Sequence, residues 1–105
     1  MFFLMNCRHY PDQDATRDAL RPQHRAWVRS GGQGLVSVLT GSAQWADDGT
    51  AIGHWGILEA PTPEAARAFT DGDPFAMGGV VAQSTVTRLA DGFTADRINP
   101  RMTVV

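Results

Sequence analysis

The sequence predicts an α+β fold in which four antiparallel strands carry two helices on one face, in the order β-α-β-β-α-β. Three observations lead there. Apolar or alternating runs mark strands at residues 2–8, 34–45, 51–60 and 80–89. Two segments with helical spacing of apolar side chains separate the first strand from the second and the third from the fourth. Between the middle strands lies Asp48-Gly49, the strongest short-range hairpin signal.

The first strand, Phe2-Phe3-Leu4-Met5 and onward, is almost continuously apolar and stops at His9-Tyr10-Pro11-Asp12. That pattern fits a central strand covered on both faces, or one whose second face meets another subunit. A helix follows over residues 13–30, with Asp12 or Asp14 as N-cap. Thr16, Leu20, His24, Trp27 and Val28 share one face, while Arg17, Arg21, Arg25 and Arg29 form a neighbouring stripe. Pro22 predicts either a kink or a helix that begins there, and Gly31-Gly32 ends it. In the second strand Gly41 marks a bulge or a close approach of backbone. The third strand alternates Ile52, His54, Gly56 and Leu58 with Gly53, Trp55, Ile57 and Glu59. Thr62-Pro63-Glu64 opens the second helix, Thr62 capping and Pro63 at the first helical position. Residues 93–105 form a tail with no assignable element, so the domain is placed at residues 1–92.

This is the ferredoxin-like pattern. Two helices cover one face of such a sheet, and Phe3, Val36, Val38, Trp55 and Ile57 are expected on the other. Left wet, that face would be a large apolar patch, which predicts a homodimer packed sheet against sheet.

Composition narrows the function classes. At 105 residues, 43% hydrophobic and 19% charged, the chain is one globular domain and not a disordered segment. A net charge of -2 gives no basic footprint for nucleic acid or for a membrane surface. All nine basic residues are arginine. Cys7 has no partner for a disulfide and reads as a small buried hydrophobe. The apolar run at residues 1–5 lacks the basic flank and length of a signal peptide, and nothing approaches the ~18 apolar residues of a membrane span. The expectation is a cytoplasmic protein.

The chemistry concentrates in Asp71-Gly72-Asp73-Pro74-Phe75-Ala76-Met77-Gly78-Gly79. A helix-to-strand connector needs one glycine and a few polar residues, so an acid before proline, an aromatic and two glycines suggest a pocket wall. Asp73 before Pro74 fits an N-cap of a short turn through Met77, which leaves one carboxylate oxygen free for a second task. The candidate partner is His24. On the apolar stripe of its helix it is either a core histidine or a general acid/base whose tautomer a carboxylate fixes. Phe75 would line the wall, and Arg21 could reach an anionic substrate. His9, His24 and His54 lack the i, i+4 spacing of a metal pair, and His54 is read as a cross-strand partner on a half-exposed face. Without a G-x-G-x-x-G or P-loop no nucleotide cofactor is expected, and no cofactor or metal is assigned.

Taken together, Arg21-Pro22-Gln23-His24, the segment 31–41, Glu59-Ala60 with Thr62-Pro63-Glu64-Ala65-Ala66, and Asp73-Pro74-Phe75 with Gly79 resemble the YCII-related (YciI-like) family. The resemblance covers roughly residues 3–89. It implies a dimeric α+β barrel of ferredoxin-like subunits, with His24 and Asp73 as an active-site pair lining a small pocket. Relatives linked to dehydrochlorination of aromatic breakdown products imply a cofactor-free lyase or isomerase acting on a small aromatic or carboxylic metabolite. The alternative is a non-catalytic dimeric module that holds a small ligand or serves as a structural domain. A monooxygenase of the same superfamily would share only the shape.

Overall fold

The computed structural model describes residues 1–104. Its elements are β1 (Phe2–His9), α1 (Asp14–Gly34), β2 (Ser37–Trp45), β3 (Ala51–Glu59), α2 (Pro63–Gly72), α3 (Pro74–Met77) and β4 (Val81–Arg88), with a 3-10 turn at Ala95–Arg97. The four strands form one antiparallel sheet in the order β2-β3-β1-β4. The fold is ferredoxin-like α+β.

Burial along β1 alternates strictly from Phe3 to His9, so Phe3, Met5, Cys7 and His9 point beneath the helices. The core joins the first three of these to Val38, Leu58, Ala66 and Phe69. This changes the expected composition of the open face. Phe3, Val36 and Val38 are buried on the helical side. Trp55 and Ile57 are only partly covered, and Ile57 pairs with Leu4, which is 36% exposed. The period of two places Leu4, Trp55 and Ile57 together on the face away from the helices.

Helix α1 departs from expectation at its start. Gln13 occupies the N-cap position without a side-chain bond, and Asp14 instead pairs with Arg17 one turn on. Helical dihedrals continue through Pro22. The ring sits on an exposed surface, where the lost backbone bond leaves no carbonyl buried. At the other end Gly31, Gly32 and Gln33 are left-handed, with φ of 62°, 64° and 60°. A side chain at Gly31 is excluded doubly, because a Cβ there would stand 1.9 Å from the Val36 carbonyl oxygen. The reversal delays β2 to Ser37. Further along, a Cβ at Gly41 would stand 2.4 Å from the Trp55 carbonyl oxygen, the close approach expected there. Thr62 caps α2 by accepting from the Ala65 N–H at 3.1 Å, with Pro63 in the first turn.

Trp27 anchors α1 to α2, its Nε1–H donating to the Phe69 carbonyl at 3.0 Å. The C-terminal segment clasps α1 to β2. Thr103 Oγ1 accepts from the Val38 N–H at 2.7 Å and donates to the Val28 carbonyl at 2.9 Å. The Thr103 N–H donates to the Val38 carbonyl at 3.0 Å and the Val104 N–H to the Arg29 carbonyl at 2.9 Å. Among the described residues, no helix is long and apolar enough to cross a membrane.

Candidate functional site

A cleft of about 830 Å³ lies between α1 and the β2–β3 half of the sheet. Its lining includes His24, His54, Phe75, Arg21, Arg25 and Arg29. Each element contributes for a local reason. Pro74 forces extended backbone at Asp73 (φ -57°, ψ 134°), and the carboxylate then caps α3, Oδ1 accepting from the Phe75 N–H at 2.8 Å. The same carboxylate, only 2% exposed, faces α1. There His24 Nδ1 lies 2.8 Å from Oδ1 and 2.9 Å from Oδ2. The His24 ring stacks on Phe75 with centroids 4.1 Å apart and planes 8° from parallel. Ring height and rotation are therefore fixed by stacking, and the in-plane direction by the carboxylate. His24 Nε2 has no protein partner among the described residues, and the ring borders the cleft.

Three residues that the sequence reading kept apart from this pair join it. His54 is buried, not half-exposed, because the phase of β3 turns it under α1 with Gly56 and Leu58. Its Nδ1 lies 2.7 Å from His9 Nε2. His9 Nδ1 lies 3.1 Å from Arg17 Nη1, and Arg17 is 5% exposed. His54 Nε2, buried and without a hydrogen bond, stops 3.8 Å short of Asp73 Oδ2. Arg17 therefore belongs to the site and not to a solvated stripe. Its signal was available: it lies seven residues, two helical turns, before His24, and His9 continues the buried phase of Phe3, Met5 and Cys7.

Burial pushes the His9 imidazole down to about 4, with the Arg17 cation and His24 adding to it and Asp73 opposing. Burial likewise pushes His54 down to about 4, opposed by Asp73 and reinforced by His24 and His9. Both rings are neutral at pH 7. Burial, with the Asp73 and Asp71 charges adding to it and Arg67 opposing, pushes the Cys7 thiol up to about 12, which suits an inert core residue. Among the described residues no group of three or more His, Cys, Asp or Glu side chains is arranged to hold a metal ion. The imidazole nitrogens instead point along a chain, each toward the next.

Arg21 pairs with Asp18 at 2.6 Å on the rim of the cleft. Arg25 and Arg29 also line it and have no acidic partner among the described residues. The rim is thus cationic, and the imidazoles of His9, His24 and His54 line the cleft, His24 bonded to the buried Asp73.

The YCII-related domain family matches residues 1–90. The chain belongs to that family. No curated protein sequence matches it significantly. Among solved structures, this YCII-related domain is similar to a 5-chloro-2-hydroxyhydroquinone dehydrochlorinase from Burkholderia phenoliruptrix AC1100, in complex with 2,5-dihydroxybenzoquinone. The TM-score is 0.73 at 24% identity, covering 88% of this chain and 96% of that one. Rv0793 from Mycobacterium tuberculosis matches with a TM-score of 0.52 at 17% identity, covering 90% of this chain and all (100%) of that one. At these identities the likenesses establish the fold.

Proposed function

We propose that this YCII-related domain is a cofactor-free enzyme of the lyase or isomerase type, acting on a small aromatic or carboxylic metabolite. In this reading His24 is the general acid/base and Asp73 its orienting partner. The observation that carries it is the His24–Asp73 contact at 2.8 Å, on a ring stacked on Phe75 at the edge of a cleft. With its Nδ1–H donated to Asp73, His24 presents the Nε2 lone pair outward. Nε2 takes a proton from a substrate carbon acidified by a neighbouring carbonyl or quinone. The C–H electron pair forms a new π bond, and either a leaving group departs with its bonding pair or the proton returns at another atom. Asp73 stabilises the imidazolium formed meanwhile, and such acid/base help is typically worth ~10²–10⁴-fold in rate. Arg21, with Arg25 and Arg29, which have no acidic partner among the described residues, would hold the anionic oxygens of a phenolate or carboxylate. The similar dehydrochlorinase, bound to a hydroxylated quinone, lends support to that substrate class.

The functional unit in this reading is residues 1–92, clasped by residues 102–104 of the tail. Two copies would meet through the open sheet face around Leu4, Trp55 and Ile57.

The test is a thermal-shift screen of hydroxylated quinones, chlorinated hydroquinones and aromatic carboxylates, followed by turnover and by proton exchange in D2O on each hit. Asp73→Asn is the informative variant, because an amide oxygen in the Oδ1 position keeps the Phe75 bond and the 2.8 Å His24 bond, while the charge and the second His24 contact, at Oδ2, are lost. Retained binding with turnover or exchange lowered ~10²–10⁴-fold is expected. Ligands that bind the native protein with neither turnover nor exchange would leave the non-catalytic binding module as the correct reading.

A further inference from the structure

The proposed acid/base pair accounts for His24 and Asp73 and leaves a second buried row of polar side chains unexplained. Arg17, His9 and His54 are each 5–7% exposed. They come from α1, β1 and β3, and they run in hydrogen-bonding sequence toward the far side of Asp73. A core that needed only volume would place apolar side chains there, since buried polar groups cost free energy unless they are paired. The last member, His54 Nε2, is buried and has no hydrogen-bond partner among the described residues.

We propose that Arg17, His9 and His54 form a positioning arm of fixed hydrogen-bond direction, which ends in an N–H aimed at Asp73 and keeps that carboxylate an acceptor for His24. The direction follows from donor counting. A guanidinium can only donate, so His9 Nδ1, 3.1 Å from Arg17 Nη1, must accept. A neutral imidazole has one donor and one acceptor, so His9 carries its hydrogen on Nε2 and donates it to His54 Nδ1 at 2.7 Å. His54 then carries its own hydrogen on Nε2, the atom 3.8 Å from Asp73 Oδ2. Both rings are neutral near pH 7, as this counting requires.

The arm rests on the acid/base reading for its purpose but not for its geometry. Asp73 faces two donors fixed independently of His24, the Phe75 N–H of α3 and the His54 Nε2–H of β3, with His24 Nδ1 of α1 as its third neighbour. One such donor meets each carboxylate oxygen, Phe75 N–H at Oδ1 and His54 Nε2–H at Oδ2, so a hydrogen on either oxygen would oppose a donor. His24 must then carry its hydrogen on Nδ1 and present Nε2 to the cleft. In the reverse polarity, His54 would present a lone pair to Asp73 and invite a proton onto the carboxylate, which would undo its use as the partner of an imidazolium. Arg17, which bonds to His9 and Asp14 and not to His24 or Asp73, selects between the two polarities through two rings. That is a positioning role and not a catalytic one.

The experiment is long-range ¹H–¹⁵N correlation on histidine-labelled protein at pH 7, which reads the tautomer of each ring without any substrate. The native protein is expected to show His9 and His54 each as a single Nε2–H tautomer. Arg17→Met should convert at least His9 to a mixture of tautomers, and Arg17→Lys, which keeps a cationic donor, should restore the single form. An Nδ1–H tautomer at His9 or His54 in the native protein overturns the proposal. So does an Arg17→Met spectrum in which both rings remain as in the native protein. If Arg17→Met does not fold, the native and Arg17→Lys spectra decide alone, a mixture at either ring in either protein counting against the arm. Failure of the function reading is distinguishable: His24→Ala leaving turnover intact refutes the acid/base assignment while the tautomers stand.

Discussion

Acidification should destabilise this fold earlier and more steeply than its carboxylates alone would, because two buried imidazoles must be charged. His9 and His54 titrate at about 4 in the folded chain, against the ordinary 6.5 that they regain on unfolding. Between those values the unfolded state binds more protons than the folded one, so stability falls as pH drops from 6.5 to 4. Above 6.5 neither state is protonated at these rings and their contribution is full. Below about 4 both states are protonated and it is gone. A difference of that size corresponds to about 3 kcal/mol for each ring. The rings touch at 2.7 Å, so charging one changes the cost of charging the other, and the total falls between about 3 and 6 kcal/mol. Against a typical domain stability of about 5–15 kcal/mol, this is a large fraction. Urea unfolding followed by tryptophan fluorescence at pH 7, 6, 5 and 4.5 measures it. The His9→Gln/His54→Gln double variant subtracts the carboxylates. The native protein should lose several kcal/mol over that range, and the variant markedly less. Loss below about 1 kcal/mol, or equal slopes in the two proteins, would refute the buried-neutral assignment. So would a ring C–H titration of either histidine centred near 6.5.

Three further outcomes follow from the packing. Gly31→Ala forces a Cβ against the Val36 carbonyl oxygen at a left-handed φ, and should cost ~3 kcal/mol or more in urea unfolding; a cost under ~1 kcal/mol contradicts the geometry. Thr103→Val removes the acceptor for the Val38 N–H and the donor to the Val28 carbonyl, and should cost ~1–3 kcal/mol while loosening the clasp of the C-terminal segment, read as faster hydrogen exchange at Val38. If two copies pack through the open face, the native protein should sediment as a dimer, and Leu4→Arg with Ile57→Arg, placed directly opposite each other there, should give a folded monomer; an unchanged dimer would mean that the copies meet elsewhere.

Most of the fold was legible because its signals are local. Asp48-Gly49 fixes the hairpin, Thr62-Pro63 fixes the start of α2, and paired glycines fix the end of α1. What failed depended on phase or on competition. The near-continuous apolar run of β1 hides which half of its residues faces the helices, and only the fold puts Phe3 beneath them. Asp14 could cap the helix or pair with Arg17, and a sequence shows both options without their energies. Pro22 is a breaker on average, yet on an exposed turn the missing bond costs little enough for packing to override it. At the site, the geometry sets Asp73 and His24 together across 49 positions, and both had been singled out from local motif and helical face. His9, His54 and Arg17 were not, because each looks ordinary alone. A histidine closing a strand, another inside one and an arginine in a stripe acquire meaning only when three elements are stacked.

The stacking also constrains how the site can be dissected. Asp73 is at once the cap of α3 and the common acceptor of the cluster, and a truncation removes both functions. Asp73→Ala would leave the Phe75 N–H and the His24 Nδ1–H without their acceptor in an almost dry setting, and each orphaned donor costs roughly 1–3 kcal/mol. A protein that has lost that much is inactive whether or not Asp73 takes part in the reaction, so the alanine variant cannot tell the two apart. Asparagine can, because it separates charge from hydrogen bonding at Oδ1. It also reverses the polarity at Oδ2, where the amide NH2 would confront the His54 N–H. The arm must then flip both tautomers, against the Arg17 donor, or accept two donors facing each other. Charge removal at Asp73 should therefore couple to Arg17 across two intervening rings, and Asp73→Asn should be better tolerated with Arg17→Met than alone. Additive effects of the two substitutions on stability would show that the arm and the carboxylate do not sense each other.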